Sequence, residues 1–201
     1  MFNMGVIARI AQSGEAIPAN ARKGFFTAEA YAIGGLAFSL DDIEYGVLRG
    51  NAHCWQRPWR RLRIRDAHCR YAIEPRDPRI CLALVHGARS SPPLSFYEAP
   101  GIEAQLCASA DRFINSGGAV LNRQAGTLSL SRLFKWCAQD FGGSQGVVKF
   151  IANGLEDPAD AAFLRTHAAS ISVKLQEFDW SLNSACKSQG KDLFERKPPS
   201  K

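Results

Sequence analysis

The stretch from Asp77 to Pro93, DPRICLALVHGARSSPP, constrains this chain more than any other. Asp77-Pro78 is a turn signal, Ile80 to Val85 is a continuous apolar run, and Gly87 to Pro93 is a loop of Gly, Ser and Pro. An apolar run of strand length with no alternation predicts a strand buried on both faces. A core strand that opens into a loop carrying Cys, His and Ser is where proteins mixing helices and strands usually keep their chemistry.

The rest of the chain supports a folded globular protein. Its 201 residues suffice for one domain. Hydrophobic residues make up 46% and charged residues 22%, which allows a sizeable core and excludes wholesale disorder. The net charge of +6 favours anionic partners without requiring them. No apolar run approaches the ~18 residues of a membrane span. The N-terminus has no Lys or Arg before its apolar stretch, and Arg9 soon interrupts that stretch, so it does not read as a signal peptide. With no export signal the six Cys read as reduced thiols, and the expected compartment is the cytoplasm.

Residues 2–12 predict a short helix that begins without a cap, and residues 13–24 a loop. Residues 28–38 predict a hairpin turning at Gly34-Gly35, since a Gly pair supplies the positive φ angles of a two-residue turn. Ser39 and Asp42 form a capping-box pair ahead of an apolar face of Leu40, Ile43, Val47 and Leu48, so a helix follows, ended by Gly50. Further helices are predicted over 102–114, from Ser131, over 145–153 and over 158–168, the last opened by Asp157-Pro158. Residues 119–130 predict two short strands and Ile171 to Phe178 an edge or half-buried strand. The fold class is therefore α+β, a single domain over 1–183 with helices packed on a small mixed or antiparallel sheet. Residues 51–76 are a basic, irregular insert, and 184–201 a polar, basic tail expected to be disordered.

In that insert, Arg57, Arg60, Arg61, Arg63, Arg65 and Arg70 alternate with Trp55, Trp59 and Tyr71. Arginine with aromatics suits phosphate contact and base stacking, so nucleic acid is a possible partner of 55–71. The ordinary reading is a solvated loop pinned by its Trp residues. His53-Cys54 and His68-Cys69 invite a zinc reading, but adjacent ligands do not follow zinc spacings. No metal and no cofactor are expected.

Four blocks occur in order: YAIGG with FSLDDIEYGVLRGN, DPRICLALVHGARSSPPLSFY, LSLSRLFKWCAQDFG, and EFDWSLN. Together they resemble the domain-of-unknown-function 547 family over roughly residues 2–183. The family pattern usually begins with a longer first helix, of which Phe2-Asn3 and Val6-Ile7 resemble the tail, so the resemblance implies an N-terminal truncation. It also implies substitution at the site: Cys81 stands where a His is expected, His86 where a Cys is expected, Ser91 in place of a second Cys, and Tyr45 where the family often has His. Glu44, Arg49, Asn51, Asp77, Arg79, Gly87, Ser90, Pro92, Trp136, Asp179, Trp180 and Asn183 match. The family brings no established activity. Plant members that join it to coiled coils suggest scaffolding.

The chemistry can also be weighed from the residues. A Cys nucleophile needs a base within hydrogen-bond reach. On a regular strand Cys81 and His86 lie on opposite faces, roughly 16 Å apart, so each needs another partner, such as Glu44, Ser91 or His53. A Cys in an apolar strand is most often an inert small hydrophobe. His86 at the strand end suits a general base or a loop-bonded structural His. Ser90 and Ser91 suit exposed hydroxyls or backbone bonding. Arg49, Arg79, Arg60 and Arg61 are candidate anion binders, and Arg49 and Arg79 suit internal pairing with Glu44, Asp42 or Asp77 equally well. Three readings follow. The first is a non-catalytic interaction or scaffold module with a protein partner. The second is a hydrolase or transferase using His86 with Ser90, Ser91 or Cys81 and Glu44. The third is RNA or phosphate binding through 55–71.

Overall fold

The computed structural model describes residues 1–13, 22–51, 59–63 and 65–183. The expected disordered tail and the pair His53-Cys54 lie outside the described residues.

The first helix, α1 (Phe2–Ser13), buries Phe2 and Val6. A second short helix, α2 (Arg22–Thr27), starts inside the segment expected to be a loop and adds Phe25 to the same core. The hairpin forms as expected from β1 (Ala30–Ile33) and β2 (Leu36–Ser39), paired antiparallel. Gly34 and Gly35 turn it with φ of 56° and 81°, angles that glycine adopts without strain.

Ser39 and Asp42 then make the reciprocal cap. The Ser39 amide donates to Asp42 Oδ2 at 2.9 Å, and the Asp42 amide to Ser39 Oγ at 3.2 Å. The helix that follows, Asp42–Leu48, is wider than its apolar spacing implied. Arg49 N donates to Glu44 O at 3.0 Å and Asn51 N to Gly46 O at 3.0 Å, so the bonds span five residues. Gly50 ends it at φ 58°. Asn51 clamps the basic segment to the core by donating to Leu62 O (3.0 Å) and accepting from Leu62 N (2.9 Å).

The expected strand over Ile80–Val85 is corrected. Pro78–Leu82 is a 3₁₀-helix, and Asp77 caps it by accepting from Arg79 N at 2.9 Å. An Asp cap followed by Pro in the first turn opens helices, as Asp157-Pro158 also does. The apolar run is buried because this turn sits between both cores, with Leu82 in one and Ile80 and Leu84 in the other.

The second core is built on α3 (Ile102–Phe113) and a mixed three-stranded sheet. In that sheet β3 (Ala119–Asn122) runs antiparallel to β4 (Thr127–Leu130), and β5 (Ser172–Leu175) runs parallel to β4. The short helix α4 (Arg132–Trp136) is capped by Ser131, whose Oγ accepts from Leu133 N. Helices α5 (Ser144–Gly154) and α6 (Pro158–His167) complete the layer. Ser144 is the first residue of α5 and Gly143 its cap, one position earlier than expected. Phe134, Leu128, Ile151 and Leu164 are fully buried at the centre. Strand β5 is exposed along its whole length, as an edge strand. The fold is α+β, helices on small sheets.

The last block pins the loop of the second. Arg89 N donates to Ser181 O at 2.8 Å, Asn183 N to Gly87 O at 3.1 Å, and Ser90 N to Asp179 O at 3.2 Å. Trp136, Phe178 and Trp180 stack together behind it. Two blocks far apart in sequence are thus one structural unit.

Candidate functional site

The five-residue turns of the helix after Ser39 decide what meets at the centre. On an ordinary α-helix Glu44 and Arg49 lie about 140° apart. The wider turn brings both inward, with Arg49 NH1 3.9 Å from Glu44 Oε1. Arg49 Nε also reaches Asp140 Oδ2 at 2.6 Å. Asp140 lies in the 3₁₀-helix Ala138–Phe141 just after α4. Both side chains of this pair are buried, 2% and 1% exposed.

The Cys81 thiol donates to the same Asp140 Oδ2 at 3.2 Å. His86 Nε2 lies 3.2 Å from Glu44 Oε2. Cys81 and His86 therefore belong to one buried network, linked through Asp140, Arg49 and Glu44. The expected separation on a regular strand does not apply, because the backbone there is a 3₁₀-helix followed by irregular chain. Phe2 and Phe26 pack edge-on against the His86 ring, and its Nδ1 is buried without a hydrogen-bond partner among the described residues.

Burial opposes the Glu44 charge, but His86 and Arg49 outweigh it and hold the carboxyl below its ordinary pKa. Burial also opposes the Arg49 cation, and the Glu44 and Asp140 carboxylates beside it offset this, so Arg49 stays charged. Burial pushes the Cys81 thiol well above its ordinary value, and Cys137 adds to the effect. A thiol so held is a poor nucleophile.

Cys81 Sγ, Cys137 Sγ and an Asp140 oxygen lie within 4.8 Å of one another, the grouping among the described residues that could hold a metal ion. Arg49 supplies the positive charge there, bonded to the same carboxylate.

The hydroxyls of Ser90 and Ser91 serve the backbone. Ser91 Oγ accepts from His86 N at 3.1 Å, and Ser90 Oγ from Asp179 N at 2.9 Å. Neither is within a hydrogen bond of the His86 ring. Arg79 pairs with Asp77 and with Glu103, its NH2 2.6 Å from Glu103 Oε2. Arg61 Nε pairs with Asp42 Oδ1 at 2.6 Å, while Arg60 and Trp59 are exposed. His68 bonds to Asp66, which raises its pKa, and Cys69 donates to Arg63 O.

The sequence profile described as "Protein of unknown function, DUF547" matches residues 1–114, more than half of the chain. The chain belongs to the DUF547 family. No curated protein and no solved structure matches it. The DUF547 match contains Glu44, Arg49, Cys81, His86, Ser90 and Ser91, whereas Cys137 and Asp140 lie beyond it. Sequence reasoning missed both. The sequence signal for Asp140 is its place in the third resemblance block, LSLSRLFKWCAQDFG. Asn3 was also undervalued. It donates to Ala83 O and Ser95 O and accepts from Val85 N, tying α1 across the signature segment.

A groove of about 420 Å³ opens at the start of α1, between Pro78–Leu82, the chain at 95–97 and α3. Its lining is mostly apolar and includes Met1, Met4, Ile73, Ile80, Phe96 and Leu106. Of these Met1, Met4, Ile73 and Phe96 are exposed. No helix among the described residues is long and apolar enough to cross a membrane.

Proposed function

We propose that this DUF547 domain is a non-catalytic interaction module. The supporting observation is the apolar groove, where four large hydrophobic side chains stand exposed around one concavity. Isolated exposed apolar side chains are ordinary, but a contiguous patch marks a binding surface. The groove runs between helices, which suits a partner's amphipathic helix laid along it with its apolar stripe inward. The high Cys81 pKa and the backbone duties of Ser90 and Ser91 count against these three residues as nucleophiles. The test replaces Phe96 with a photo-crosslinking aromatic in the full chain, with the same substitution at Val173 on β5 as control. The expected adduct maps to a peptide with apolar residues three and four apart. A synthetic copy of that peptide should bind the native chain and bind Met4→Asp at least about tenfold less tightly. Identical adducts from both positions would sink the reading.

A second reading is favoured by the His86–Glu44 contact, since a carboxylate on one imidazole nitrogen is how a general base is oriented. Under that reading the unpartnered Nδ1 takes a proton from an incoming nucleophile. Hydrolysis of p-nitrophenyl acetate should then be lost in His86→Gln, assayed well below its lowered melting temperature with a native circular dichroism spectrum as the check on folding. Equal turnover in both proteins would exclude it.

A further inference from the structure

A second cavity, of about 320 Å³, lies at the signature loop itself. Its polar lining comes from Arg89, Ser90 and Ser91 of the loop, Ser131 at the start of α4, Gln176 after β5, and Asn183. No carboxylate lines it.

The hydrogen bonds leave this cavity rich in donors. Ser90 Oγ, Ser91 Oγ and Ser131 Oγ each accept a backbone N–H, from Asp179, His86 and Leu133. A hydroxyl has one proton to donate besides its lone pairs. None of these three protons has an acceptor among the described residues. Ser91 and Ser131 are only 6% and 5% exposed, so bulk water does not readily satisfy them. A buried donor without a partner is costly, which marks these hydroxyls as waiting for an acceptor. Gln176 contributes no free N–H, because its amide already donates to Gly117 O at 2.9 Å and Ser129 O at 3.5 Å. The Arg89 guanidinium forms no ion pair among the described residues, although its field lowers the pKa of the nearby Asp179, which Ser181 lowers most.

The donors are also held in place. The backbone of Arg89 and Ser90 is fixed by residues 179–181, and Ser91 N donates to Ala88 O at 3.0 Å. An isolated antiparallel bridge joins Ala88 to Leu182. Several fixed hydroxyl donors beside a guanidinium that forms no ion pair among the described residues, in a lining without a carboxylate, complement a negatively charged oxygen acceptor. The volume is at the small end of ligand pockets.

We propose that this cavity binds a small oxyanion, the carboxylate or phosphate group of a small metabolite, with Arg89 as its charged anchor and Ser90, Ser91 and Ser131 donating to its oxygens. The site is separate from the apolar groove, so a partner and an oxyanion can bind together.

The test is calorimetric titration of the full chain with sodium phosphate and, separately, sodium acetate, against sodium chloride at equal ionic strength. Amide shifts recorded in parallel locate the site. The expected result is saturable binding of at least one oxyanion, with shifts at Ser90, Ser91, Gly117 and Gly118. Phosphate preference points to a phosphate ester and acetate preference to a carboxylate. Arg89→Gln should weaken binding at least about tenfold, the loss expected for one charge-assisted hydrogen bond, and Arg89→Lys should weaken it less. Neither should change the melting temperature without anion, because Arg89 is exposed and unpaired. If Arg89→Gln fails to fold, Asn183→Ala replaces it and should also weaken binding. Absence of saturable binding by both probes, shifts confined to another surface, or undiminished affinity in the variant would each overturn the proposal.

Discussion

Replacing Arg49 by Met tests whether the buried network holds the two halves of the fold together. Arg49 comes from the N-terminal core and Asp140 from the C-terminal layer, 2.6 Å apart and both almost fully buried. Met keeps much of the side-chain length but, among the described residues, leaves Asp140 with only Arg76 as a cation, 3.5 Å from its Oδ1, and Glu44 with only His86. Removing one partner of a buried pair costs about 3–5 kcal/mol, far more than the ~1 kcal/mol of an exposed pair, because the stranded charge stays desolvated. Loss of the guanidinium from the Tyr45 ring, 4.9 Å away, adds to this in the same direction. For a chain of this size each kcal/mol lowers the melting temperature by about 2–4 °C, so a fall of roughly 6–20 °C is expected. Urea denaturation followed by circular dichroism gives the free energy, with an unchanged slope as the check on two-state unfolding. The double variant Arg49→Met with Asp140→Asn removes one stranded charge and should recover about 1 kcal/mol or more. A single-variant loss below about 1 kcal/mol, or a double variant less stable than the single, would refute the reasoning.

Two other outcomes follow from the same network. Glu44 has its folded pKa below the ordinary 4.5, so its contribution to stability is full above that value and is lost as pH falls through the lowered one. Glu44→Gln should therefore flatten the acid limb of the stability–pH curve between about pH 5 and pH 3, and an identical limb in both proteins would exclude the pairing. The buried, high-pKa Cys81 should resist iodoacetamide at pH 7.5 in the native chain while exposed Cys107 is alkylated. Peptide mapping that finds Cys81 modified as fast as Cys107 would show the site to be open.

Much of the fold was legible because its signals are local. The Gly34-Gly35 hairpin, the Ser39–Asp42 cap and the Asp157-Pro158 helix start each rest on residues a few positions apart, and each formed. The failure at Ile80–Val85 has an equally local cause. An apolar run buried on all sides has no period, so strand and helical turn look alike, and Asp77-Pro78 is a helix start as well as a turn. At the site, His86, Glu44, Arg49 and Cys81 were named from residue type and resemblance, but their connection was not visible.

What the sequence determined by itself was the α+β class, the family, and most element boundaries, since these follow from short-range periodicity, caps and turns. Tertiary structure alone decided that a helix with five-residue bonds would turn Glu44 and Arg49 to one side. It also decided that Asp140, 91 residues beyond Arg49, would close the network, and that residues 179–183 would hold the signature loop open over a polar cavity. The reason is physical. Burial, charge pairing and unmet hydrogen bonds are properties of neighbours in space, and no spacing along the chain encodes which distant residue will be that neighbour.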